Sequence, residues 1–169
     1  MTTWFIRAEM PDDRAAIHAV VAEAFGQPDE AKLVDQLRAD GDAVISLVAA
    51  EDAVVVGHVM QSTMRAPFRA LGLAPVSVVR ARQGTGVGSA LIRDTIRLAR
   101  EAGYAALFVL GDKDYYGRFG FDVEAARGFA SPYAGDHFAV LELEPFGVRE
   151  GAVDYVPAFA ALYVLIPPA

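Results

Sequence analysis

The sequence predicts one mixed α/β domain covering residues 1–169, and three observations carry that prediction. Apolar runs of strand type alternate with helically spaced apolar positions over 169 residues, a length suited to one domain with a sizeable core. Apolar residues make up 54% of the chain and charged residues 22%, a globular composition. No repeat, low-complexity tract or linker interrupts the pattern.

In chain order, "WFIRAEM" (Trp4 to Met10) reads as a first strand. "PDDRAAIHAVVAEAF" follows, with Pro11 and Asp12 as helix-start residues and Ile17, Val20, Val21, Ala24 and Phe25 at helical spacing. "DEAKLVDQLRADG" repeats that spacing with Leu33, Val34 and Leu37 and ends at Gly41. "AVISLVAAEDAVVVGHVMQSTM" is two apolar runs parted by Glu51 and Asp52, a hairpin with those two acids in its turn. "LGLAPVSVV" (Leu71 to Val79) is a further strand despite Pro75. After the glycine loop "QGTGVGSAL" comes a helix with Val87, Leu91, Leu98 and Ala102 on one face and Ile92, Ile96 and Ala99 beside them, an arrangement in which Arg93, Arg97 and Arg100 can point to water. Gly103 stops it. "AALFVL" (Ala105 to Leu110) has the continuous apolar character of a buried central strand. "GDKDYYGRFGF" reads as a short helix and turn, and "HFAVLELEP" (His137 to Pro145) as a last strand with alternation.

Net charge is -7, from 15 Lys plus Arg against 22 Asp plus Glu, which argues against a partner bound through nucleic-acid phosphates. There is no cysteine, so disulfides, thiolate metal sites and cysteine nucleophiles are excluded together. "MTTWFIRAEMPDDR" lacks the apolar segment of a secretion signal, and "FAALYVLI" (Phe159 to Ile166) is far shorter than the ~20 residues of a membrane helix. The expectation is a soluble, cytoplasmic protein with neither membrane nor nucleic acid as partner.

Glycines at Gly84, Gly86 and Gly88 fall between a strand and a helix, where they let the backbone turn sharply and leave amide N–H groups free for an anion. The dinucleotide fingerprint fails here: its sixth position is Ser89, and no acidic residue ends a second strand about 20 residues on. The nucleoside-triphosphate loop fails too, for want of a lysine. Tight helix–strand packing by Gly86 and Gly88 is an equally physical explanation of the same pattern.

In context the chain resembles the GNAT superfamily of N-acetyltransferases, whose acetyl-coenzyme A loop reads Gln/Arg-x-x-Gly-x-Gly/Ala. Gln83, Gly86 and Gly88 fill those places, after Val76, Ser77 and Val78 and before an apolar helix. "YYGRFGF" matches the family's Tyr-x-x-x-Gly-Phe element with Tyr116, Gly120 and Phe121. From Gly57 to Phe159 the chain is similar to the small YhbS-like subgroup. The resemblance implies a mostly antiparallel, twisted mixed sheet flanked by helices, with acetyl-CoA as co-substrate. It implies that the amides of Gly84, Thr85, Gly86, Val87, Gly88 and Ser89 cradle the pyrophosphate. Backbone groups of Val76, Ser77 and Val78 would pair with the pantetheine arm, with an oxyanion donor near Val78. Tyr116 corresponds to the general acid that protonates the departing thiolate; aromatic packing is its ordinary alternative. Arg80 and Arg82 are candidates for phosphate neutralisation or for a solvated turn.

The resemblance implies acetyl transfer to an amine of a small molecule or peptide, and without cysteine that transfer is expected to be direct. A homodimer is compatible with the sequence, and so is a second class of function, an acyl-CoA-binding or sensing module without turnover. The family's glutamate base on the strand before the loop has no counterpart in "LGLAPVSVV". His58, Glu51, Asp52, His137 and Asp136 are the nearby titratable groups, and each has a structural explanation, so the base is unassigned. His18, His58 and His137 lack ligand spacing, Asp12 and Asp13 suit a helix start, and no metal is implied. Glu142 and Glu144 are expected on one solvated strand face. "EPFGVREGAVDYVPAF" could wall an acceptor cleft, while packing alone would also explain Tyr155, Phe159 and Tyr163.

Overall fold

The computed structural model describes residues 3–145 and 149–163. Phe146 to Val148, the side chain of Tyr163 and the end of the apolar "FAALYVLI" run lie outside the described residues. In chain order the elements are β1 (Trp4–Ala8), a 3-10 turn (Pro11–Asp13), α1 (Arg14–Phe25), α2 (Asp29–Ala39), β2 (Ala43–Glu51), β3 (Val54–Arg65) and β4 (Ala70–Val78). A second 3-10 turn (Arg80–Arg82), α3 (Val87–Glu101), β5 (Ala106–Leu110), α4 (Lys113–Gly117) and α5 (Val123–Ala126) follow. β6 (Phe129–Ala130), β7 (Phe138–Glu142), β8 (Gly151–Ala152), β9 (Asp154–Tyr155) and α6 (Ala158–Tyr163) complete the order. Seven strands form a mixed, mostly antiparallel sheet in the order β1-β2-β3-β4-β5-β7, with β9 on β3; β6 and β8 make a separate pair. The chain gathers into two compact units.

One unit holds Pro75–Thr95 and the chain up to Gln61. β1 and β2 pair antiparallel from Trp4↔Glu51 to Ala8↔Leu47. β2 turns into β3 through Asp52 and Ala53, at φ 50° and 66°, the doubly left-handed geometry that suits a tight hairpin. Glu51 is therefore the last residue of β2 and not part of the turn. As their spacing predicts, α1 buries Ile17, Val20 and Val21, and α2 buries Leu33, Val34 and Leu37. Phe25 departs from the expected face: it is exposed, because α1 ends there at Gly26, in the left-handed conformation. On α3 the buried positions in this unit are Val87, Leu91, Ile92 and Thr95.

The same unit carries a buried polar network. Arg38 donates from Nε to Glu9 Oε2 at 3.0 Å and from Nη2 to Glu9 Oε1. Ser46 Oγ lies 2.8 Å from Glu9 Oε1 and 2.8 Å from His58 Nε2. Since the hydroxyl has one proton and gives it to the carboxylate, Nε2–H of His58 must donate to Ser46, which leaves Nδ1 bare. His58 is fully buried and Nδ1 has no hydrogen-bond partner. A second ring proton would have no acceptor there. Burial lowers the imidazole to about 4, with Arg38 acting in the same direction and Glu9 against it. Burial pushes the Glu9 carboxyl up, but hydrogen bonds from Arg38 and Ser46 outweigh that and hold it below the usual glutamate range.

The other unit holds Ser62–Ala74 and the chain from Ile96 onward. β4 and β5 run parallel through Ala70↔Ala106, Leu71↔Leu107 and Gly72↔Phe108, where the ladder stops. β5 pairs antiparallel with β7 from Ala106↔Glu142 to Leu110↔Phe138, and its first four residues are buried, as a central strand requires. Phe108 stacks on Phe138 at 5.4 Å and meets Phe129 edge-on at 5.5 Å. Ile96 and Ala99 of α3 are buried; Leu98 is only half-buried and Ala102 is exposed, contrary to the face expected for them. β7 buries Phe138, Ala139 and Val140 in succession, so the expected alternation is absent. Glu142 is half-buried and paired with Arg149, while Glu144 lies beyond the strand and is exposed.

The state of His58 sets an acid limit on stability. Its folded pKa lies below the ordinary 6.5, so its stabilising contribution is complete above about pH 6.5 and is lost as pH falls towards 4; Glu9 acts in the same direction lower down. Urea unfolding at pH 7 and pH 4.5 should differ by roughly 2–3 kcal/mol from His58 alone. His58→Gln should lose that part of the difference, and an unchanged difference in the variant would refute the assignment.

Candidate functional site

The turn between β4 and α3 is built by backbone conformation. β4 leaves the sheet as Val79 N–H donates to Val56 C=O at 2.9 Å. Gly84 and Gly86 then adopt φ 75° and 94°, which L side chains rarely tolerate. A Cβ built at either glycine meets nothing within 4 Å, so these glycines serve the turn and not a packing contact. The close approach of helix to strand depends instead on Gly57 of β3. A Cβ there would lie 3.0 Å from Leu91 Cδ1, 3.0 Å from Val87 Cγ1 and 3.2 Å from the Ser77 carbonyl oxygen.

Gln83, Gly84, Thr85 and Gly86 are exposed, and Gly88 and Ser89 are half-buried at the start of α3. Ala90 N–H to Gly86 C=O, at 3.1 Å, is the α-helical bond at this end. The N–H groups of Val87, Gly88 and Ser89 come before it, in the first turn, where helix geometry supplies no acceptor. With the helix dipole behind them, these donors form a site suited to an anion.

Side chains hold the approach to this turn. Gln83 Nε2 donates to Val78 C=O at 3.0 Å, and Thr85 Oγ1 donates to Arg82 C=O. Glu23 Oε2 accepts the Arg80 backbone N–H at 2.9 Å. Glu51, only 6% exposed, accepts Arg82 Nε at 2.7 Å. The hydrogen bond to Glu51, and then the negative charge of the same carboxylate, raise the Arg82 guanidinium above its already high range. Arg82 is thus anchored and not a freely solvated side chain, and the pairing of Glu51 with it was not visible in the sequence. Of the strand residues singled out, Ser77 is buried, while Val76 and Val78 are half-buried.

Tyr116 belongs to the second unit, on α4. Asp112 caps that short helix, accepting Asp114 N–H at 2.8 Å and Tyr115 N–H at 3.4 Å. The Tyr116 ring lies over Gly111, where a Cβ would come within 2.6 Å of Cε2, so only glycine admits the ring there. Tyr115 and Phe121 meet the ring edge-on at 5.1 and 5.9 Å. Burial, and secondarily Tyr115, pushes the phenol up to about 12, so it stays protonated at neutral pH.

None of the titratable groups near in sequence is left as an evident base. His58 is sealed in the network above, and Glu51 is committed to Arg82. Asp52 sits exposed in the hairpin turn. His137 Nδ1 lies 3.3 Å from Gly111 C=O, and Asp136 pairs with Arg127 at 3.2 Å. Among the described residues, no three His, Asp or Glu side chains are grouped to hold a metal ion, and no helix is long and apolar enough to cross a membrane. Asp13, expected as a helix-start residue, accepts the Met10 N–H at 2.7 Å and also binds Arg7 through both carboxylate oxygens. Tyr155 and Phe159 are buried, with rings 4.8 Å apart, so packing accounts for them. Ala152, Val153 and Asp154 of the same C-terminal segment line an open cavity of about 690 Å³ with Arg65 and Ser131.

The acetyltransferase (GNAT) family profile matches residues 11–121. The protein named uncharacterized N-acetyltransferase YhbS, from Escherichia coli K12, is 36% identical over 138 residues, which cover 79% of this chain and 83% of that protein. The crystal structure of E. coli YhbS in complex with CoA superposes with a TM-score of 0.89 at 33% identity, covering 95% of this chain and 93% of that one. A GNAT family acetyltransferase from Brucella melitensis, solved with acetyl-CoA, gives a TM-score of 0.81 at 38% identity, covering 93% and 98%.

The division of labour among the glycines is open to measurement. Gly57→Val should lower unfolding free energy by roughly 1–3 kcal/mol through overpacking against Val87, Leu91 and the Ser77 carbonyl. Wild-type stability in that variant would show that the helix–strand seam has slack the distances deny.

Proposed function

Because the chain belongs to the acetyltransferase (GNAT) family, and is an acyltransferase by that membership, we propose that it transfers an acetyl group from acetyl-CoA directly to an amine of a small molecule or a peptide. In this reading all 169 residues act as one N-acetyltransferase domain.

The observation that carries the reading is the exposed turn at Gly84 and Gly86, left-handed at both glycines and leading directly into the first turn of α3. A diphosphate fits such a turn, since the space a side chain would take is open at both glycines. Gly84, Thr85, Gly86, Val87, Gly88 and Ser89 would supply the donors. Val76, Ser77 and Val78 would receive the pantetheine arm. Val79 N–H is turned to Val56, so by strand alternation the peptide groups of Val78 and Val76 point to the opposite edge of β4. The related structures with CoA and acetyl-CoA support the same co-substrate.

The co-substrate brings a thioester whose carbonyl accepts the amine nitrogen. Val78 N–H would stabilise the oxyanion. Tyr116 would give its phenolic proton to the sulfur as the carbon–sulfur bond breaks. Its high pKa supports this role in one respect: the proton is in place throughout the physiological range. With no cysteine to carry an acetyl group, the amine and acetyl-CoA would be bound together.

Thiol release should be measured with acetyl-CoA against a panel of polyamines, amino sugars, amino acids and peptides. Turnover on at least one amine is the expected result; a thermal shift with acetyl-CoA but no release on any amine would favour a binding module. Tyr116→Phe should lower kcat by roughly 100- to 10,000-fold while leaving acetyl-CoA affinity intact. In the wild type, kcat should show no loss near pH 10 from this phenol, because its proton is held to about pH 12. Full turnover by the folded variant would remove Tyr116 from the mechanism.

A further inference from the structure

We infer that Glu51 is a positioning residue for the coenzyme turn, acting through Arg82. The inference rests on the proposed acetyl-CoA site and extends it to a side chain 32 residues upstream of the helix-start turn at Gln83.

Three observations carry it. Glu51 closes β2 and is held on the sheet by its pairing with Trp4. Its carboxylate is 6% exposed, with Oε2 accepting Arg82 Nε at 2.7 Å and Oε1 buried without a hydrogen-bond partner. A buried carboxylate with a single cationic contact loses much by letting that contact go, so the ion pair resists opening. Finally, Arg82 closes the 3-10 turn immediately before Gln83 and Gly84, and its carbonyl accepts the Thr85 hydroxyl. Holding the Arg82 side chain on the sheet therefore fixes the leading end of the glycine turn, to which the Thr85 hydroxyl is tied in turn.

The second anchor, Glu23 on the Arg80 N–H, grips the same segment from α1, but through an exposed contact. Exposed contacts contribute little, and the Arg82 clamp is the stronger of the two. Without the clamp the turn would sample conformations in which its amides do not converge. Coenzyme affinity would fall by the fraction of time the competent geometry is lost. The chemical step, which follows once the coenzyme is seated, would not change.

The test uses the full-length protein, with acetyl-CoA affinity measured by calorimetry and steady-state rates measured on any accepted amine. Glu51→Gln keeps the shape and removes the charge. The expected result is acetyl-CoA binding weakened roughly tenfold, the loss of about one charge-assisted contact, with kcat at saturation within about twofold of wild type. In an Arg82→Gln background the same Glu51→Gln change should add little, because the two residues act as one device. Thermal melting without ligand separates this from a stability effect, and Glu51→Asp with Arg82→Lys replaces the pair if either amide variant does not fold. Unchanged affinity in Glu51→Gln, or an equal loss in both backgrounds, overturns the inference. Failure of the underlying reading looks different, since the wild-type protein itself would then show no acetyl-CoA binding.

Discussion

Left-handed backbone at Gly84 and Gly86 is the constraint from which the rest of the candidate site follows. A peptide chain leaving β4 must reverse its amide direction within a few residues if the first-turn N–H groups of α3 and those of the turn are to point at one anion. Two glycines at φ 75° and 94° permit such a reversal without a steric penalty. That freedom has a cost, because glycine loses more conformational entropy on ordering than any other residue. The turn is accordingly tied down from outside by Gln83 on the Val78 carbonyl, Thr85 on the Arg82 carbonyl, Glu23 on the Arg80 amide and Glu51 on the Arg82 guanidinium. Flexible residues give the shape and fixed side chains keep it.

The unit that carries the turn follows a consistent electrostatic rule. Its sparingly exposed carboxylates meet donors: Glu9 meets Arg38 and Ser46, Asp13 meets Arg7 and the Met10 amide, Glu30 meets Gln27, and Glu51 meets Arg82. Such pairs contribute little net stability over an apolar core, but breaking one strands a buried charge, so they fix which surfaces meet. His58 belongs to this scaffold. Its Nε2–H completes the Ser46–Glu9–Arg38 chain, and its bare Nδ1 faces no solvent from which a proton could come. A group so placed cannot serve an amine that arrives from outside.

Much of the architecture was legible in the sequence because it depends on local pattern. Helical spacing located α1 and α2, the continuous apolar run "AALFVL" located the central β5, and the spacing of Gln83, Gly86 and Gly88 from Tyr116, Gly120 and Phe121 pointed to the family. What the pattern could not give were partners distant along the chain. Glu51 and Asp52 look alike between two apolar runs, yet Glu51 is a buried strand end and Asp52 an exposed turn. Only the three-dimensional register, which brings Arg82 to Glu51, separates them. The glycines show the same limit: Gly57 resembles any small residue in a strand, yet it makes the close helix–strand approach, while a Cβ at Gly86 would meet nothing within 4 Å. Periodicity alone places Leu98 and Ala102 on the apolar face, but the helix ends at Glu101, which leaves Ala102 outside it.

That none of His58, Glu51, Asp52, His137 and Asp136 is an evident base is consistent with the proton balance of the proposed reaction. A phenol near pKa 12 is a weaker acid than an ordinary thiol at about 8.5, so complete transfer from Tyr116 to the thiolate would be uphill if it stood alone. It does not stand alone. The nitrogen that has attacked the carbonyl carries an extra proton and becomes strongly acidic as the tetrahedral adduct forms, while the sulfur becomes basic only as its bond to carbon breaks. Over the whole step one proton leaves nitrogen and one arrives at sulfur, and Tyr116 ends as it began. A dedicated carboxylate is then required only to strip the ammonium form before attack, a task that solvent can perform ahead of binding. Under that balance the demands on the protein narrow to holding a phenolic proton in place and keeping the turn at Gly84 and Gly86 in its one competent shape.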